Sequence, residues 1–207
     1  MLYRFCTYAV LRNLRFFDAF FVLFLAVELG FTYTEIGIVL AYDKLLMGLL
    51  EVPLAIITDR FGRRRSLALS FALASVAFAV FGFAAQSDFS FLMILLGQTV
   101  YGVAESLRSG SHKAIVLDWL RHQGQSHKRV KVLGTMRFFS KNSAGIAALM
   151  AGGIVWLTGG MNALFFAAIL PTLGVVVLVL GYPRFAEGEL RRRMNDGNKP
   201  PRQNLRE

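Results

Sequence analysis

Apolar residues in this chain fall into long unbroken runs, not into the short alternating or periodic stretches of a soluble domain. Six runs of 19–23 residues stand out, at about 10–30, 35–57, 66–86, 89–107, 138–158 and 163–182. A hydrocarbon core of ~30 Å takes about 20 apolar residues of helix. Barrel strands need about 10 and alternate in polarity. The pattern therefore predicts an all-α membrane protein with six transmembrane helices. The first run follows Arg4, Arg12 and Arg15 and so has the outline of a signal peptide, but it is too long, contains Asp18 and lacks a small-x-small cleavage site.

Placing the cations fixes an orientation. Of the 23 Lys and Arg, 18 fall before helix 1, between helices 2 and 3, between helices 4 and 5, or after helix 6. The connections at 31–34, 87–88 and 159–162 carry none. By the positive-inside rule, both termini are expected in the cytoplasm of a multi-pass protein of the plasma (inner) membrane.

Composition then excludes other classes. A net charge of +10 suits a nucleic-acid binder, but 55% apolar residues and a mean hydropathy of +0.51 do not. Cys6 is the one cysteine, so a disulfide scaffold is out. No H-E-x-x-H, G-x-S-x-G or paired-cysteine motif marks an enzyme or a metal site, and no cofactor is expected.

The remaining charges lie in or beside the spans, where burying one costs about 2.5–3.5 kcal/mol. Ten of them, Asp18, Asp43, Lys44, Glu51, Glu105, Arg108, Lys113, Asp118, Arg137 and Lys141, are five of each sign. On an unbroken helix, Lys44 and Glu51 share a face. Glu105, Arg108 and His112 form one stripe, and Arg137 and Lys141 are neighbours that repel. Two readings stand side by side: a solute pathway with charged walls, or ion pairs that lock helices together, with Arg137 and Asp118 snorkelling to the interface. Ten charges exceed what packing alone tolerates, which favours the pathway. His112 is either a proton carrier or a satisfied polar residue. Small residues at Ala68, Ala72, Ser75, Ala79 and Gly82, and at Gly145, Ala148 and Gly152, predict close packing within the bundle.

The segment Asp59-Arg60-Phe61-Gly62-Arg63-Arg64-Arg65 is a cationic turn in which Asp59 can pair with Arg63 or cap a helix. It resembles the D-R-x-G-R-R loop of the major facilitator superfamily, with Ala55 where the family has a leading Gly. Glu51-Val52-Pro53 and the segment from Arg108 to Asp118 resemble motifs of one subgroup. The resemblance covers about residues 10–185. It implies that Asp59, Arg60, Gly62, Arg63 and Arg64 form a cytoplasmic gate. It also implies that helices 1 and 4 line the solute cavity, which makes Asp18, Glu105 and Arg108 the main contacts. Gln98 stands where an antiporter arginine would fall, and Leu149 replaces the proline of the drug-exchanger motif, so a standard multidrug antiporter is not expected.

In that family two six-helix halves surround one site. Residues 1–185 read as one half, built of two inverted three-helix repeats, and 186–207 as a basic cytoplasmic tail like the linker between halves. The expectation is a secondary transporter of a small polar or ionic solute, ion- or proton-coupled, that needs a second half from a homodimer or from a separate chain. The alternative is a truncated or non-transporting membrane interaction or regulatory protein.

Overall fold

Why the helices start and stop where they do follows from a few local devices. The computed structural model describes residues 1–182, so the expected tail at 186–207 lies outside the described residues. The elements are α1 (Leu2–Asn13), α2 (Phe21–Leu23) running into a π-helical turn at Phe24–Glu28, α3 (Tyr33–Phe61), α4 (Arg63–Ala84), α5 (Ser90–Arg108), α6 (Ser111–His122), a 3₁₀ turn at Ser126–Lys128, α7 (Arg129–Thr158) and α8 (Asn162–Leu180).

α3 opens with a capping box: Glu35 N donates to Thr32 Oγ1 at 3.3 Å and Thr32 N to Glu35 Oε2 at 2.8 Å. It runs on to Phe61, so the expected loop shrinks to one residue, Gly62, whose φ of +96° admits a glycine most easily. α8 begins on Glu28, whose carboxylate accepts from Met161 N at 2.7 Å and Asn162 N at 3.4 Å.

The expected helix over 10–30 is corrected. It is interrupted from Leu14 to Phe20, where turns replace the ladder. Asn13 Nδ2 donates to Ala9 O at 2.7 Å, a back-bond that competes with helix propagation. The break frees Arg15 and Asp18 to meet each other and α5. The expected helix 5 is also longer, because α7 starts at Arg129 and takes Arg137 into a regular helix.

α4 sits at the centre, packed on α5 and on α8. α3 packs on α5, and α1 on α7 and α8. Exchanging α1 with α5, α3 with α7 and α4 with α8 maps these principal pairs onto one another. Close approach is real on α4 and α5: a Cβ at Gly97 would lie 2.4 Å from the Phe81 ring, and one at Gly82 2.7 Å from Phe166. The α7 stripe is a second correction. Gly145, Ala148 and Gly152 are exposed, and a Cβ at Gly145 or Gly152 meets nothing within 4 Å, so they pack no helix within the described chain.

Two apolar cores fill the bundle. One gathers Phe16, Phe17, Phe24, Phe78, Phe81 and Phe165; the other gathers Phe5, Tyr8, Phe71, Ile115, Leu120 and Tyr182. Arg4 Nη1 donates to Gly181 O at 2.7 Å, and Arg64 donates to Leu180 O, so the starts of α1 and α4 share one end with the finish of α8. Glu28 joins the end of the π-helical turn to the start of α8 at the other. Among the described residues, three helices are long and apolar enough to cross a membrane: Arg63–Ala84, Ser90–His122 taken through its bend, and Asn162–Leu180.

Candidate functional site

The break after α1 and the middle of α5 meet in a polar network between the two apolar cores. Glu105 is its hub. Arg108 Nε donates to Glu105 Oε2 at 2.9 Å, and its Nη2 contacts the same oxygen more closely. Tyr101 Oη donates to Glu105 Oε1 at 3.3 Å, and Arg15 Nη1 lies 3.6 Å from that atom. Arg15 Nη2 pairs with Asp18 Oδ2 at 2.9 Å, and Nη1 donates to Tyr101 Oη. One carboxylate thus bridges two arginines that would otherwise repel in a poorly solvated interior.

Sequence reasoning placed Arg15 in a cytoplasmic lead segment and did not single out Tyr101. Both belong to this network. The signal for Arg15 was its position at the front of the first apolar run; a tyrosine in an apolar run carries none.

Two cavities flank the network. The smaller, about 260 Å³, is lined by Arg15, Asp18, Asp43, Lys44, Gln98 and Tyr101 among others. Asp43 and Gln98 are buried there, and Asp43 Oδ1 and Gln98 Oε1 have no hydrogen-bond partner among the described residues. Buried acceptors of this kind ordinarily find a donor. Gln98, read from sequence only as the place of a missing arginine, is therefore part of a cavity wall. Lys44 pairs with its neighbour Asp43 at 2.7 Å, while its own side chain is 77% exposed.

Lys44 and Glu51, expected on one face of the helix, have separate partners. Glu51 Oε1 accepts from Ser109 Oγ at 2.7 Å, tying α3 to the end of α5.

The larger cavity, about 560 Å³, lies at the bend between α5 and α6. Ser109 and Gly110 leave the helical region, Gly110 with a φ of +75°. This splits the expected stripe: Glu105 and Arg108 stay on α5, and His112 begins a new helix. The His112 ring stacks on Tyr8 at a centroid distance of 3.5 Å, and its Nε2 lies 3.5 Å from Tyr182 Oη. Arg12, Arg108, Lys113 and Arg137 line this cavity; Lys141 is exposed on α7 and lines neither cavity.

At the basic end the gate-like segment engages the end of α6. Asp59 Oδ1 lies 3.4 Å from Arg63 Nε, and Arg63 Nη1 donates to Asp118 Oδ2 at 2.8 Å. Arg121 flanks Asp118 at 3.6 Å. The two stretches that carry the family resemblance thus meet each other in space. Arg60 and Arg65 are exposed, and Gly62 forms the joint between α3 and α4. The described residues contain no group of His, Cys, Asp and Glu placed to hold a metal ion.

A bundle of membrane-length apolar helices around a charged, cavity-bearing seam is the build of a membrane transport protein. Residues 4–206 match the Major Facilitator Superfamily, and the chain belongs to that family. It is a membrane protein of a family of transporters. No curated protein matches the sequence.

Proposed function

We propose that this chain forms one six-helix half of a secondary transporter that moves a small polar or ionic solute, coupled to protons or another ion. The observation that carries this reading is the Arg15–Glu105–Arg108 network with a cavity on each side. Asp43 and Gln98, in the wall of the smaller cavity, also keep buried oxygens with no hydrogen-bond partner among the described residues, which a purely structural ion cluster would pair. In this reading Asp18, Asp43, Glu105, Arg108, His112 and Lys113 line the route, with Lys44 and Glu51 at its margin. Lys141 is an exposed contact for a partner.

The six apolar runs span the plasma membrane as two inverted three-helix repeats, with both termini cytoplasmic. The mutual exchange of packed pairs supports the repeats, and the cation-free connections at the Glu28 end support the orientation. Asp59, Arg60, Gly62, Arg63 and Arg64 act as the cytoplasmic gate, which the Arg63–Asp118 bond holds against α6. A second half, from another copy or a separate chain, covers α3 and α7. Leu45, Leu49, Val52, Phe138 and Leu149 leave both helices with large exposed apolar surface, beside the exposed glycine stripe.

The test is flux. Purified protein is reconstituted in liposomes holding a pH dye, and a panel of small solutes is added with and without a proton gradient. At least one solute should move in the wild type, and none in a Glu105→Gln variant that still folds. Absence of movement for every solute and gradient would leave the non-transporting alternative.

A further inference from the structure

The two cavities differ in charge. The smaller is lined by both signs. The larger is lined by Arg12, Arg108, Lys113 and Arg137, with no carboxylate among the described residues of its wall. Among the described residues, Arg12, Lys113 and Arg137 form no salt bridge, and Glu105, which pairs with Arg108, does not line this cavity. The three unpaired cations repel across one space, and a negative charge there would relieve that repulsion.

Two further features ask for the same partner. Tyr8 lies in this wall with a side chain only 2% exposed, and its hydroxyl has no acceptor among the described residues. The first turn of α6, a helix of 12 residues, also borders the space, and no side chain caps it. Its amide groups add positive potential at Gly110 and His112. A cationic solute would add a fifth positive charge; an oxyanion satisfies the arginines, the hydroxyl and the helix end together. At about 560 Å³ the cavity falls within the ~300–1,000 Å³ range of small-molecule sites, which leaves room for an organic body behind the anionic group.

We propose that the cavity between α1, α6 and α7 binds a small oxyanion, a phosphate- or carboxylate-bearing solute, held by Arg12, Arg108, Lys113 and Arg137 with Tyr8 Oη as a further donor. The proposal rests on the reading of this cavity as part of the solute route, and names the class of solute.

The full chain in phosphatidylcholine nanodiscs is titrated with inorganic phosphate, sulfate and succinate. Binding is followed by calorimetry and by tryptophan fluorescence, since Trp119 packs edge-on against Phe5 at 5.5 Å in the adjoining core. Saturable binding of at least one anion is expected. It should weaken on the order of tenfold in Arg137→Gln and in Arg12→Gln, as for loss of one charged hydrogen-bond partner, and stay unchanged in the exposed control Lys128→Gln. Arg137 is exposed on α7, so its removal does not threaten the fold.

Phosphatidylglycerol discs form the second arm. Stabilisation there, absent in phosphatidylcholine and lost in Arg137→Gln, identifies a lipid headgroup as the source of the same oxyanion chemistry. No anion effect in either disc, or an effect that survives both arginine variants, overturns the proposal. Binding is read without flux, so its failure leaves the transport reading standing, and failed flux with intact binding sinks only the latter.

Discussion

Replacing Glu105 by Gln keeps the shape of the network's hub and removes its charge. In the native protein this carboxylate takes two contacts from Arg108, one of them at 2.9 Å, and stands 3.6 Å from Arg15. Side-chain exposures of 13% for Glu105, 19% for Arg108 and 24% for Arg15 place all three largely out of water. Removing one partner of such a buried pair costs about 3–5 kcal/mol, because the charge left behind stays desolvated. Glutamine keeps one carbonyl acceptor for Arg108, and the arginines are partly solvated, so a loss of about 3 kcal/mol is expected.

Detergent-solubilised protein unfolded by a graded denaturant reads this directly. The double variant Glu105→Gln, Arg108→Gln removes both charges together and should be less destabilised than the two single losses added, by at least about 1 kcal/mol of coupling. A single-variant loss under about 0.5 kcal/mol, or strict additivity, would refute the claim that one carboxylate holds the seam.

Other expectations follow from particular contacts. Gly97→Val drives a side chain into the Phe81 ring, 2.4 Å from a Cβ, and should lower stability by about 1–3 kcal/mol, whereas Gly145→Ala meets open space and should leave the melting temperature within error. Gly62→Ala places a side chain at φ +96°, so a loss of about 1–2 kcal/mol is expected by the same unfolding assay. Asp118→Asn strips partners from Arg63 and Arg121; with Arg63 27% exposed, the stability loss should stay near 1 kcal/mol, and protease access to the 60–65 connection should rise.

Much of this fold is written in local signals. Unbroken apolar runs mark α4, α5 and α8 because hydrocarbon demands one continuous stretch of about 20 residues. Thr32-x-x-Glu35 marks the start of α3, and Gly62 marks the joint within the cationic segment. What the sequence hides is long-range. The break from Leu14 to Phe20 contains neither Gly nor Pro, so hydropathy reads straight through it. The break brings Arg15 to Glu105, a partner ninety positions on. A stripe argument holds only on an unbroken helix; Ser109 and Gly110 bend the chain, so Glu105 and His112 part. Periodicity also leaves open whether a small-residue face turns inward, and the two stripes took opposite answers: Ala68, Ser75 and Gly82 are buried, and Gly145, Ala148 and Gly152 are not.

The central claim is that a water-filled charged route runs along the seam between the α1–α2 break and α5. Cysteine accessibility tests it without knowledge of the solute. In a Cys6→Ser background, single cysteines are placed at Asn13 and Ser109 in the larger cavity, at Asp18 in the smaller, and at Leu170, a 79% exposed apolar site on α8. Each is then treated in oriented membranes with a charged, membrane-impermeant thiol reagent. The account predicts fast labelling at Asn13→Cys, Ser109→Cys and Asp18→Cys and none at Leu170→Cys. Equal protection of all four positions would contradict it.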